Sequence, residues 1–255
     1  MVDMSDALFG YMCVFLRTTG IFVTAPVLAA RFIPPAVKVG LSLLVSFLLM
    51  PVVQAAPMGE SYAETAVALL GEIGYGLFIG FMAAALLAAV DVAGQIVDVQ
   101  MGFGLSNVLD PEQGHSSPLM GIFKYLLITL IFMMLDGHHL MIRALSKSFE
   151  IMPAGKVSLA AFWAQLSVTT AAQMLLIGVV LAIPIWAAML ITDVALGVVA
   201  RAVPQMNVFV IGLPVKSLVG FMILSASIGF YGVFTEEIAT TLRNLLESLL
   251  GVGIS

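Results

Sequence analysis

The chain has 255 residues, 61% of them hydrophobic and only 10% charged, with a mean hydropathy of +1.12. Soluble domains are nearer half apolar and a quarter charged, so this sequence belongs in a bilayer or inside a greasy assembly. The net charge of −5 comes with ten scattered cations and one cysteine, Cys13, which excludes a basic nucleic-acid face and an intrachain disulfide.

The opening residues carry Asp3 and Asp6 rather than a basic cluster and run straight into an apolar segment, so no cleavable signal peptide is expected. That first segment covers about Ala7 to Ala30 and is interrupted only by Arg17-Thr18-Thr19-Gly20. Cys13 reads there as a small buried hydrophobe. A turn, Arg31 to Pro35, leads into the second segment, about Ala36 to Ala56, closed by Pro51 and Pro57. After an acidic link with Glu60 and Glu64, the third segment stays helix-compatible from Thr65 to about Gln100. At 1.5 Å per residue it would reach roughly 54 Å, well beyond a hydrocarbon core of about 30 Å. Such a helix must bend, with Gly94 a plausible bend site, or leave the membrane. Along it Gly76, Gly80, Ala84 and Ala88 recur every four residues, a small-residue ridge of the kind that lets another helix approach closely.

Met101 to Pro118 is the longest polar interruption, and its glycines and prolines exclude a regular helix. The fourth segment is Leu119 to Leu135, followed by a basic link with Arg143, Lys147 and Lys156. Val157 to Val203 is nearly all apolar and broken by Pro184, which suits two packed helices or one kinked one. The sixth segment is Val208 to Phe234, and an amphipathic tail runs to Ser255. There is no internal repeat. If every segment spanned once, the two basic links would fall on opposite sides of the membrane, against the positive-inside rule. Some segments are therefore re-entrant hairpins, or the chain does not sit as ordinary single spans.

Charged residues inside apolar runs narrow the search for chemistry. Arg17 is costly in lipid and should face protein, paired with a carboxylate; Asp91, Asp98 and Asp193 are the candidates. Asp91, Gln95 and Asp98 share a helix face. A polar stripe answering Arg17 or Lys216 is preferred there over an acid–base site, because no convergent partners are spaced for catalysis. Asp193 and Arg201 lie two turns apart on a similar face and are expected in the same buried polar network. Asp136-Gly137-His138-His139 suggests a metal, but adjacent histidines do not share a helix face and no HExxH or cysteine ligand accompanies them. A helix end with solvated histidines, and no metal, is expected. Neither nucleophile elbow nor phosphate loop is present, so no enzyme, catalytic residue or cofactor is read here.

The stretch from Arg201 to Gly220, RAVPQMNVFVIGLPVKSLVG, breaks the apolar sequence with Pro204, Gln205 and Asn207, and carries Gly212, Pro214 and Lys216. Unpaired amides at membrane depth cost several kcal/mol each. It is either an interhelical turn, which spacing alone favours, or a break buried in protein.

This stretch resembles a segment of the FliR family of type III secretion export-gate proteins. So do RTTGIFVTAPVLAARFIPPAVKVGLSL (Arg17 to Leu43), DVAGQIVDVQMGFGLSNVLDP (Asp91 to Pro111) and DGHHLMIRALSKSFEIMP (Asp136 to Pro153). The resemblance implies an all-α fold of helical hairpins with Pro- and Gly-broken helices, one domain over residues 1–255, wound into a multi-subunit core. It implies partners FliP and FliQ, contact with the export-switch protein FlhB, and passage of unfolded flagellar proteins through the channel. The implied location is the bacterial inner membrane, in the flagellar basal body. It further implies that the loop Gly102, Phe103, Gly104, Leu105, Ser106, Asn107, Val108, Leu109, Asp110, Pro111 and on to Ser117 plugs the channel at rest; composition alone favours a solvated loop. The alternatives are an injectisome-type gate subunit and, from the broken helices and intramembrane charges, a small secondary transporter, although no inverted repeat supports that.

Overall fold

The computed structural model describes residues 4–30, 33–59, 61–103, 119–157, 163–205 and 207–227, with 229, 233, 236, 240, 241, 243 and 244. Among these the fold is all-α, with no strand: α1 (Met4–Thr24), α2 (Pro35–Leu49), α3 (Tyr62–Met101), α4 (Leu119–Met134), α5 (Gly137–Ile151), α6 (Trp163–Ala202) and α7 (Val208–Ala226). An isolated parallel bridge joins Ala55 and Ala154.

Two elements differ from the sequence expectation. The second segment ends as a helix at Leu49 rather than Ala56, because Pro51 lacks the N–H that would continue it. Of the two arrangements open for Val157 to Val203, the single helix is found: α6 has 40 residues with Pro184 inside it. The basic link is itself a helix, α5. Its Leu140, Met141, Ala144, Leu145, Ser148 and Phe149 are buried while Arg143 and Glu150 are exposed, an amphipathic period that three scattered charges conceal at first reading. α3 runs through Gly94 without a break over 40 residues.

Among the described residues, three helices could cross a membrane by length and composition, Met4–Thr24, Tyr62–Met101 and Ala171–Ala202, or four if the broken pair of α4 and α5 counts as one. α2, at 15 residues, reaches only about 22 Å, short of a hydrocarbon core of about 30 Å. The charge conflict rests on six single spans, and the described helices do not supply six.

The chain divides into two compact units, Met1–Ala85 with Phe132–Ala171 and Ile238–Ser255, and Leu86–Ile131 with Ala172–Glu237. In the first, α1 crosses α3 through glycines. A methyl added at Gly20 would sit 2.7 Å from the Ile73 carbonyl oxygen, one at Gly80 would sit 2.9 Å from the Ile21 carbonyl oxygen, and one at Gly76 would collide with the Arg17 carbonyl. Gly76 and Gly80 of the small-residue ridge therefore face α1; Ala84 and Ala88 are half-buried. The Thr24 hydroxyl donates to Leu77 O at 3.1 Å across the same crossing. Thr18 and Thr19 donate to carbonyls one turn back, which is how hydroxyls are satisfied inside an apolar helix.

α1 also carries α2, and α2 is inside out. Ser42 and Ser46 are its buried residues, their hydroxyls returned to Lys38 O and Ser42 O. Leu44, Phe47 and Leu48 stand 56%, 70% and 63% exposed. In the second unit, Gly178 of α6 lies against α3, where a methyl would be 2.8 Å from the Ala89 carbonyl oxygen, and Gly220 of α7 faces the Met101 side chain.

The glycines separate into two kinds, and this is testable by thermal unfolding of the purified chain in detergent. Gly76→Ala must push α1 and α3 apart and is expected to destabilise by about 1–3 kcal/mol. Gly40, on α2, has nothing within 4 Å of an added methyl, so Gly40→Ala should stabilise by roughly 0.5–1 kcal/mol through helix propensity. A Gly76→Ala chain that melts like wild type would mean the crossing is loose.

Candidate functional site

The most elaborate polar site surrounds Arg17, which is completely buried on α1. Its partner is Glu72 of α3. Nε donates to Glu72 Oε2 at 2.6 Å and Nη2 to Oε1 at 3.1 Å, the two-pronged geometry in which guanidinium and carboxylate match best. Nη1 donates to the carbonyl and hydroxyl of Ser148 at 2.9 and 3.1 Å, and Nη2 also donates to Met152 O at 2.9 Å. The guanidinium carbon lies 4.9 Å from the Tyr75 ring centroid and 4.0 Å from that of Phe149, so its faces meet π-systems and its edges meet oxygens. Glu72 Oε1 further accepts from Gly155 N at 2.7 Å. Gly155 has φ +89, a left-handed conformation that glycine adopts without penalty. Beside it, Ala154 N donates to Gln54 O at 3.2 Å and Ala56 N to Ala154 O at 2.8 Å. One ion pair thus holds α1, α3, the end of α5 and the segment that follows it.

This corrects the expected partners of Arg17. Asp91, Asp98 and Asp193 belong to the other unit, and the carboxylate that answers Arg17 is Glu72. The signal was present: Glu72 is the single acid between Thr65 and Val90, as isolated in its apolar run as Arg17 is in its own. The stripe on α3 is divided, with Asp98 buried, Asp91 half-buried and Gln95 exposed. Asp98 feels the charge of Lys124, a fully buried cation of α4 that was likewise the lone charge of its segment. Lys216 of α7 does not serve that stripe; it pairs with Asp193 of α6. Arg201 is exposed, so the expected buried link between Asp193 and Arg201 is not formed. Distance along the helix was right for that link, but the Asp193 carboxylate turns to α7.

The Pro204–Asn207 stretch is an exposed turn between α6 and α7: Pro204, Gln205 and Asn207 are all exposed. Asn207 caps α7, its side chain accepting from Val210 N, and Gly212 faces Leu196 of α6. Pro214 lies inside α7. Beside the Asp193–Lys216 pair opens a cleft of about 490 Å³ lined by the end of α3, α6 and α7.

Of the expected plug, only Gly102 and Phe103 fall among the described residues; Gly104 to Ser117 lie outside them. Gly102, with φ +88, ends α3 and leaves room for Leu213, whose methyl would be 2.5 Å from an added Cβ. The Phe103 ring meets Phe221 edge-on at 6.1 Å. Gly102 and Phe103, just past the end of α3, thus pack against α7.

The Asp136-Gly137-His138-His139 run starts a helix rather than ending one. The two imidazole centroids lie 4.2 Å apart, and Asp136, just before the helix, has left-handed backbone angles. Its Oδ1 is 3.1 Å from His139 Nδ1.

Comparison with known proteins matches residues 8–242 to the family of bacterial export proteins, family 1. The chain is 32% identical over 254 residues to the flagellar biosynthetic protein FliR of Bacillus subtilis (strain 168), covering 95% of this chain and 96% of that protein. It is 30% identical over 243 residues to FliR of Escherichia coli (strain K12), covering 94% and 92%. It is 31% identical to the Yop proteins translocation protein T of Yersinia pestis, covering 84% of each chain.

Breaking the buried pair one side at a time leaves an uncompensated charge. Arg17→Met and Glu72→Leu are each expected to cost about 3–5 kcal/mol, while the double substitution should recover part of that loss, because no unpaired charge remains even though Ser148, Met152 and Gly155 lose these partners. A double-mutant cycle on thermal unfolding in detergent checks this. Additive losses would mean that Arg17 and Glu72 do not act as a pair.

Proposed function

The chain belongs to the bacterial export proteins, family 1, and from that premise we propose that it is a subunit of the flagellar type III protein-export gate. In this reading it assembles with FliP and FliQ, contacts FlhB, and forms with them the inner-membrane channel for unfolded flagellar proteins. The observation that carries the reading is the nearly end-to-end correspondence with flagellar FliR proteins. The match to the Yop translocation protein is shorter at both levels of coverage, which favours the flagellar over the injectisome assignment.

The physical character of the chain supports a structural role. Arg17 and Glu72 are spent on each other inside, and the outward faces of α2 and α6 are apolar, with Leu176, Ile191 and Val198 of α6 67%, 69% and 63% exposed. A surface of that kind is covered by lipid or by apolar neighbours. The role is passive: the chain forms the conduit and other components drive transport.

Within this reading Gly102 to Ser117 closes the channel at rest and yields to the exported chain. Glycines give it pliancy and Phe103, Leu105, Val108 and Leu109 give it bulk.

Two measurements test the reading. Removal of the gene from its host should abolish secretion of flagellar proteins and motility, both restored by the wild-type gene; normal flagellar secretion without it would sink the assignment. In an assembled complex, deletion of Ser106 to His115 should raise ion or dye leakage across the membrane. A deletion complex as tight as wild type would show that the loop is not the seal.

A further inference from the structure

At the break between α4 and α5 we propose a site for a divalent transition-metal ion of zinc's class, held by Asp136, His138 and His139. One ligand atom from each residue lies within 4.8 Å of the others. Bonds of about 2.0–2.2 Å to a tetrahedral ion would set donors roughly 3–4 Å apart, so small side-chain rotations complete the site.

Three observations set this cluster apart from a chance gathering of polar groups. First, Asp136 stands at the N-cap of α5, yet its side chain makes no capping hydrogen bond. A carboxylate there ordinarily accepts from the first-turn N–H groups; this one turns to His139 Nδ1 at 3.1 Å. Second, His138 Nδ1 is shielded from solvent and makes no hydrogen bond, although a shielded ring nitrogen normally has a partner. Third, the turn is held in place. Asp136 has φ 57, and a side chain at Gly137 would run into the Phe132 ring, so the turn that sets the Asp136 carboxylate beside His139 is packed against α4.

The donor set selects the ion. Two imidazole nitrogens and one carboxylate oxygen suit Zn²⁺, Co²⁺, Ni²⁺ or Cu²⁺, whereas Mg²⁺ and Ca²⁺ prefer oxygen throughout. Three protein ligands leave a coordination position for water or for a further donor. The Asp136 and His139 side chains are 71% and 59% exposed, so an ion can enter directly and exchange.

The test uses the full chain, purified in detergent through a histidine-free affinity tag and stripped with EDTA. Zn²⁺ titrated against a chromophoric chelator should show one saturable equivalent. Asp136→Asn and His139→Gln should each weaken it by about tenfold or more, and His115→Gln, outside the cluster, should not. Co²⁺ added to the wild-type chain should give the visible ligand-field band of a low-coordinate nitrogen and oxygen site, a readout that needs no variant to fold. Absence of saturable Zn²⁺ binding, absence of that band, or binding undiminished in a well-folded His139→Gln chain overturns the proposal.

Discussion

A guanidinium with no access to water must find every one of its partners inside the protein, and the first unit is arranged around that requirement. Arg17 has five N–H groups, and Glu72, Ser148 and Met152 take them all. Those acceptors lie on two other parts of the chain, α3 and the end of α5. Satisfying the cation therefore fixes where α5 ends relative to α1 and α3. The Gly155 amide on Glu72 and the bridge at Ala154 extend the same constraint to the segment after α2. Burial of such a pair adds little net stability against a matched apolar pair, but it penalises every arrangement in which one partner is missing. Its contribution is to specificity.

The glycine crossing and the ion pair depend on each other. Gly76 is in contact with the backbone of Arg17 itself, and Glu72 lies one turn before Gly76 on the same helix. Close approach of the two helices brings the carboxylate within reach of a side chain that could not span a wider gap. A larger residue at Gly76 would thus act twice, once by collision and once by drawing Glu72 away from its cation.

The helical class, the positions of most helices, the small-residue ridge and the need for a buried carboxylate opposite Arg17 are legible in the sequence. Apolar runs bounded by prolines and glycines report helices directly, and a lone cation in such a run announces a partner. What could not be read was which partner, because helix register says which face a residue occupies and nothing about which helix lies opposite. The aspartates of the more polar stripe are the stronger sequence signal, and Glu72, alone in its apolar run, the weaker one. Helix α5 was obscured for a related reason: its charges lie on the outward face of an amphipathic period, and counting charges without period made it a link. Helix register places His138 and His139 on different faces, yet their rings lie 4.2 Å apart, because register fixes the Cβ direction and not the rotamer.

The distribution of charge and grease inverts that of a soluble domain. Arg17, Glu72 and Lys124 have no exposed surface and Asp98 only 4%, while Phe47 is 70% and Leu176 67% exposed. This inversion divides the work between the two kinds of residue. A charge sealed inside cannot select a neighbour, so it can act only on the fold of its own chain. An exposed leucine adds little to that fold, because it is as open in the folded chain as in the unfolded one; its apolar area is removed from water only when lipid or another subunit covers it. Substitutions on the outer faces of α2 and α6 should therefore be judged by assembly rather than by the stability of the isolated chain, and substitutions among the sealed charges by the reverse.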